Sequence, residues 1–211
     1  MTDQQLKRWQ TWIGIAILVI ILGLPVWLSN WFYQRGQLLN LASDVQFAST
    51  DSARRDTPEW NLFRDPIYLS FPHDVRLTGH QIRMIGGFEG LEMLSANGIG
   101  DDDLSQLRDL SNLHSLDLQE ATLSDVGLNV IGQFKKLRTL TILAAADHRI
   151  DRQITTGGWT RLLELPELTR LTLADPELTD VAIEPLGQCS GLIELQLTSP
   201  NIHGPGLRHL G

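Results

Sequence analysis

Cysteine is nearly missing from this chain. Cys189 stands alone among 211 residues, so no internal disulfide can form and the fold does not depend on an oxidising compartment. No glycine-rich phosphate loop, dinucleotide fingerprint or nucleophile elbow occurs. The six histidines (His73, His80, His114, His148, His203, His209) never fall at HxH or HxxxH spacing, which removes the usual zinc arrangement. Asp101, Asp102 and Asp103 form an acidic run, but calcium needs six or more oxygens around it, and the repeat described below already uses two of the three. No catalytic residue, metal site or cofactor is expected. Basic charge is also scarce. Residues 1–35 hold three of the 17 basic side chains (Lys7, Arg8, Arg35) and one of the 25 acidic ones (Asp3); the remainder carries 14 against 24, a net charge of -10. Nucleic-acid binding is not expected of so acidic a domain, because phosphate contacts need concentrated Lys and Arg.

Charge is missing altogether from residues 12–28, "WIGIAILVIILGLPVWL". With its margins, Trp9 to Tyr33, the stretch suffices for a bilayer core of about 30 Å, and Trp9, Trp12, Trp27, Trp31 and Tyr33 stand where interfacial aromatics sit. A soluble core helix rarely lacks a polar stripe. A cleaved signal peptide would need small residues after the apolar run, where "LSNWFYQRG" places bulky ones. Lys7 and Arg8 precede the run and only Arg35 follows closely, which puts the N-terminus in the cytoplasm and the rest across the membrane. The expected organisation is a short cytoplasmic N-terminus (1–11), a transmembrane helix (12–33), a stalk and N-terminal cap (34–66) and a repeat domain (67–211). Within the stalk, Trp60, Leu62 and Phe63 are candidates to cover the first repeat.

The repeat emerges when the leucines are aligned. "LHSLDLQEATLSDVGLNVIGQFKK" (113–136) and "LTRLTLADPELTDVAIEPLGQCSG" (168–191) have the same length of 24 residues. Related units begin near Tyr68, Leu91, Leu137 and Leu192; the last is incomplete at Gly211. Each unit opens with alternating apolar residues, such as Leu116 and Leu118, which predicts a short strand. A helical period follows. Its first site is Ile82, Leu104, Leu128, Trp159, Ile183 or Leu207; its second is Ile85, Leu107, Ile131, Leu162, Leu186 or Leu210; its third is Phe88, Leu110, Phe134, Leu165 or Cys189. No unit can bury its apolar face alone, so neighbours must stack, with Leu123 and Leu137 entering the shared core from either side of one helix. Ser124 and Thr179 stand at N-cap positions; Asp101, Asp125 and Asp180 are expected to meet the positive ends of the helices. Gly127, Gly158 and Gly206 are expected to permit close packing or an unusual backbone angle.

The strand signature at Leu113, Leu116 and Leu118, with "LSDVGL" before the helix, resembles the leucine-rich repeat family, in its short-helix bacterial and cysteine-containing forms. The resemblance covers residues 68–211. It implies an α/β solenoid of about six units, with parallel strands on a concave side and short helices on a convex one. The Asn or Cys usual after the strand is here Ala121, Pro176 and Pro200, so the turns are expected to rest on backbone bonds. In such a solenoid the outward strand positions form the candidate binding surface: Ser115, Asp117, Gln119, Thr139, Thr141, Leu143, Arg170, Thr172, Ala174, Glu194, Gln196 and Thr198. They are small, polar and mixed in charge, without an aromatic anchor. The unit from 137 to 167 has 31 residues, and its extra seven fall within "LAAADHRIDRQ" (143–153), a second candidate site through His148, Arg149, Asp151 and Arg152.

The reading that follows is a single-pass membrane protein presenting a non-catalytic module that binds a protein or peptide. One alternative is a spacer that self-associates through its C-terminal repeat, at Leu207 and Leu210. Another, carried by the cysteine-containing resemblance, is a substrate-recognition subunit of a ubiquitin-ligase-like assembly; this needs an adaptor-binding segment, and the chain shows none that is F-box-like.

Overall fold

The computed structural model describes residues 68–145, 154–203 and 208. The proposed membrane span, the stalk with Trp60, Leu62 and Phe63, the charged loop residues His148, Arg149, Asp151 and Arg152, and Gly206, Leu207 and Leu210 lie outside them. Strands and short helices alternate: β1 (Tyr68–Ser70), α1 (Gly79–Gly86), β2 (Met93–Asn97), α2 (Asp101–Leu107), β3 (Ser115–Ala121), α3 (Asp125–Ile131), β4 (Thr139–Ala144), α4 (Thr156–Trp159), β5 (Arg170–Ala174), α5 (Asp180–Ile183) and β6 (Glu194–Thr198). A 3-10 turn extends α4 over Thr160–Glu164, and another extends α5 over Glu184–Gln188. All six strands join one parallel sheet in the order of the sequence.

The buried residues explain that order. Leu94, Leu116, Leu140 and Leu171 are register partners in successive strands, and each is at most 1% exposed. All three helical sites are buried in the described units, except that Cys189 is half-buried. Leu123 and Leu137 enter the same layer. Parallel strands need a crossover between neighbours, and here each crossover is a helix that covers the apolar side of the sheet and leaves the other side open. The turns do rest on the backbone: Thr122 N–H donates to Ile99 O and Ala145 N–H to Ala121 O, both at 3.0 Å.

Ser124 caps α3 by accepting from the Val126 N–H, and Thr179 caps α5 by accepting from Ala182. Asp101, Asp125 and Asp180 stand in the first turns of their helices, as expected, and their carboxylates also reach beyond them. Asp101 accepts, through its carboxylate, the backbone N–H of Ser124 at 3.0 Å and the Ser124 hydroxyl, one repeat onward. Asp125 accepts from Thr155 in the same way, at 2.8 and 2.7 Å. Asp180 accepts from the His203 N–H at 3.0 Å. Asp101 and Asp125 therefore tie their own helices to the cap of the next, and Asp180 ties α5 to the following repeat. The glycines serve this tie rather than an unusual angle. A Cβ at Gly127 would collide with Asp101 Oδ1, and one at Gly158 with Asp125 Oδ1. Asp103, in place of a repeat glycine, accepts from the Gly100 N–H at 3.1 Å.

Candidate functional site

Strand pleating sends alternate side chains to opposite faces, so the open face consists of the positions that the buried leucines leave over. In register across the sheet, one row runs Tyr68, Met93, Ser115, Thr139, Arg170, Glu194, and the next runs Ser70, Ser95, Asp117, Thr141, Thr172, Gln196. Ser115, Asp117, Gln119, Thr139, Thr141 and Thr172 are half-exposed, whereas Arg170, Glu194, Gln196 and Thr198 are exposed. The structure thus brings the whole predicted strand set onto one surface. Of the extra residues in the long unit, Leu143 and Ala144 belong to β4 itself.

Asp117 is the charged residue in the middle row. Its Oδ2 accepts from the Ser95 hydroxyl at 3.0 Å and from the Gln119 amide at 3.5 Å, while Oδ1 is covered and has no hydrogen-bond partner. The carboxylate is thus held within the sheet and has no basic neighbour in its row, so it lends the face an uncompensated negative charge. Two strands along, the Arg170 Nε donates to the Thr139 hydroxyl at 3.1 Å. The face therefore carries an acceptor toward one end and a cation toward the other, separated by small hydroxyl side chains.

Sequence reasoning missed part of this surface. Tyr68 is 60% exposed and Met93 is 37% exposed, next to each other in the first row. They supply the aromatic and apolar contact that the later strands lack. The signal was present, since each stands immediately before the first buried strand residue, Leu69 and Leu94, but the first unit is the most degenerate. Asn97 was missed too: it is 3% exposed, and its amide donates to the His73 carbonyl. It pins the loop after β1 against the end of β2. Beside it Arg76 crosses Gly98, and its guanidinium pairs with Glu120 at 2.8 Å.

Among the described residues no group of three or more His, Cys, Asp or Glu could hold a metal ion. Cys189 is half-buried, and burial pushes its thiol pKa above the usual range. That is the opposite of an activated nucleophile.

Fold and site together define a class: a repeat solenoid of six parallel strands and short helices, whose open sheet face is largely polar. No family model matches the chain, and no curated protein matches it. Among solved structures the chain is similar to an internalin from Listeria monocytogenes, with 25% identity and a TM-score of 0.47. The similarity covers 61% of this chain and 35% of the internalin, so this chain spans about a third of that protein's length.

Proposed function

We propose that this protein is a non-catalytic interaction module, held at a membrane by residues 12–33, that binds a protein or peptide on the open face of its sheet. The observation that carries the reading is the uncovered sheet face itself, six strands wide, with Tyr68, Met93, Arg170 and Gln196 exposed on it. The Asp117 carboxylate gives the middle of that face a negative charge that a partner's basic group would meet. Tyr68 and Met93 supply apolar area, and Arg170 a second charged contact. The repeat domain lies outside the cytoplasm in this reading, because the basic residues precede the apolar run.

Photo-cross-linking in cells tests it. A probe replacing Thr141 should give one defined adduct, which Asp117→Arg abolishes, while a probe replacing Asn129 on the helix side gives none. Adducts at both positions, or none at Thr141, would sink the proposal. The 143–153 loop keeps its place as a second contact, tested by the same probe at His148.

A spacer that self-associates is favoured by one observation. Leu195 and Leu197 in β6 are half-exposed where their counterparts Leu171 and Leu173 are buried, and Ile193 beside them is 85% exposed. In that reading Ile193→Glu converts a dimer to a monomer in sedimentation equilibrium, and Asp117→Arg changes nothing.

A further inference from the structure

The aspartate ties follow a rule that joins two positions in different repeats. Where the first residue of a helix is Asp101 or Asp125, the third residue of the next helix is Gly127 or Gly158; after Asp180, Gly206 holds the same place in the repeat pattern of the sequence. Where the first residue is instead Gly79 or Thr156, the third residue of the next helix is Asp103 or Ala182. All four junctions between described helices obey the rule.

Sterics and charge give the reason. The carboxylate that reaches forward to the next cap occupies the space a Cβ would take at the third helical position, as at Gly127 and Gly158. With no carboxylate to accommodate, that position is free to carry a side chain, and a side chain is favoured because glycine weakens a helix. Asp103 uses this freedom to accept from the Gly100 N–H. Ala182 uses it to fill space, at 9% exposure.

Two junctions therefore lack the key, the one between α1 and α2 and the one between α4 and α5. Thr179 receives no carboxylate from the preceding repeat, and among the described residues no side-chain hydrogen bond or ion pair joins 154–165 to 179–189. The junction between α3 and α4 carries the Asp125 tie, and Lys135 donates there to the Glu164 carbonyl at 3.0 Å. At the other unkeyed junction α1 and α2 have eight and seven residues, whereas α4 and α5 have four each. The sheet nevertheless runs through without a break, with five residue pairs between β4 and β5 and the Arg170 to Thr139 bond across them.

We infer that the aspartate–glycine pair is a stacking key, determining which repeat can follow which, and that the unkeyed junction between α4 and α5 is a joint at which the helix layer parts while the sheet holds. Apolar packing of Trp159, Leu162, Ile183 and Leu186 closes it, but no directional bond does. Opening there swings the last two repeats on the strand layer.

Installing the key tests the inference. Hydrogen exchange of the full chain in detergent is compared for the wild type, Thr156→Asp, Ala182→Gly and the double variant. Each single change should lower the protection of residues 179–188: Thr156→Asp meets the Ala182 methyl, and Ala182→Gly loosens a helix with nothing gained. The double variant should exceed the wild type by about tenfold, the effect of a hydrogen bond to a charged group. A double variant whose protection equals the product of the two single changes would overturn the key. An existing key provides the converse. Gly127→Ala should lower the denaturation midpoint of the wild type and raise it in an Asp101→Ala background; the same sign in both backgrounds would overturn the rule. For the joint, the amides of 180–188 in the wild type should exchange faster than those of 125–131, and equal rates would remove it.

Discussion

Glu120 has φ +47° at the bulge in β3, a left-handed conformation that costs an ordinary L-residue about 1–2 kcal/mol. Its counterpart one repeat earlier is Gly98, at φ +69°. The carboxylate pairs with Arg76, but both side chains are more than half exposed, and such a pair is worth about 0–1 kcal/mol. Strain therefore outweighs the pair. Glu120→Gly should raise the urea midpoint slightly, and a clear drop would show that the ion pair dominates. Cys189 is a free, half-buried thiol. Burial raises its pKa in the folded chain, so below the unfolded thiol's pKa both states are protonated and nothing changes. As the pH rises past that value the unfolded chain ionises first, and stability falls. Iodoacetamide at pH 8 should label Cys189 more slowly in the native chain than in urea, with equal rates counting against the burial.

The elements owe their lengths to different forces. α1 has eight residues and a full capping box, in which Thr78 and Gln81 each accept from the other's end of the turn. α4 and α5 have four residues each and pass into 3-10 turns, tighter and poorer in hydrogen-bond geometry. Such single turns hold together by what they bury. Trp159 is the largest of these side chains, at 1% exposure, in a slot that smaller residues fill in other repeats. Trp159→Ala should cost about 3–5 kcal/mol of unfolding free energy, whereas Val126→Ala on an exposed position should cost under about 0.5 kcal/mol. Denaturant titration of both variants checks the contrast.

For the whole molecule, stacking makes stability a sum over junctions and leaves the open face outside that sum. Asp117→Arg should therefore leave the melting temperature within about 2 °C of the wild type while abolishing the Thr141 adduct. A large fall in melting temperature would show that Asp117 serves the fold instead. The described residues retain the acidic excess of the chain, with Asp175, Glu177, Asp180, Glu184 and Glu194 following β5 and Arg208 the one base after them. A partner with basic side chains suits that end, and its association should weaken as salt rises.

The strand and helix positions, the shared core and the strand order were legible in the sequence, because a repeat forces equivalent residues to meet equivalent neighbours. Leu116, Ile131 and Phe134 could be placed before any coordinate was known. The capping role of Ser124 and Thr179 was legible for the same reason: a cap acts within its own turn. What the tertiary structure decided lies between repeats. Asp101 lies 23 residues from Ser124, and nothing local distinguishes a carboxylate that faces its own helix from one that reaches the next. Only the stacking distance settles which donor it meets, and hence why Gly127 is glycine. Tyr68 and Met93 belong to the open face because register with β3 puts them there, a fact of strand pairing that their own degenerate unit does not announce. Periodicity determines what is buried, while contact between repeats determines what the remaining polar groups do.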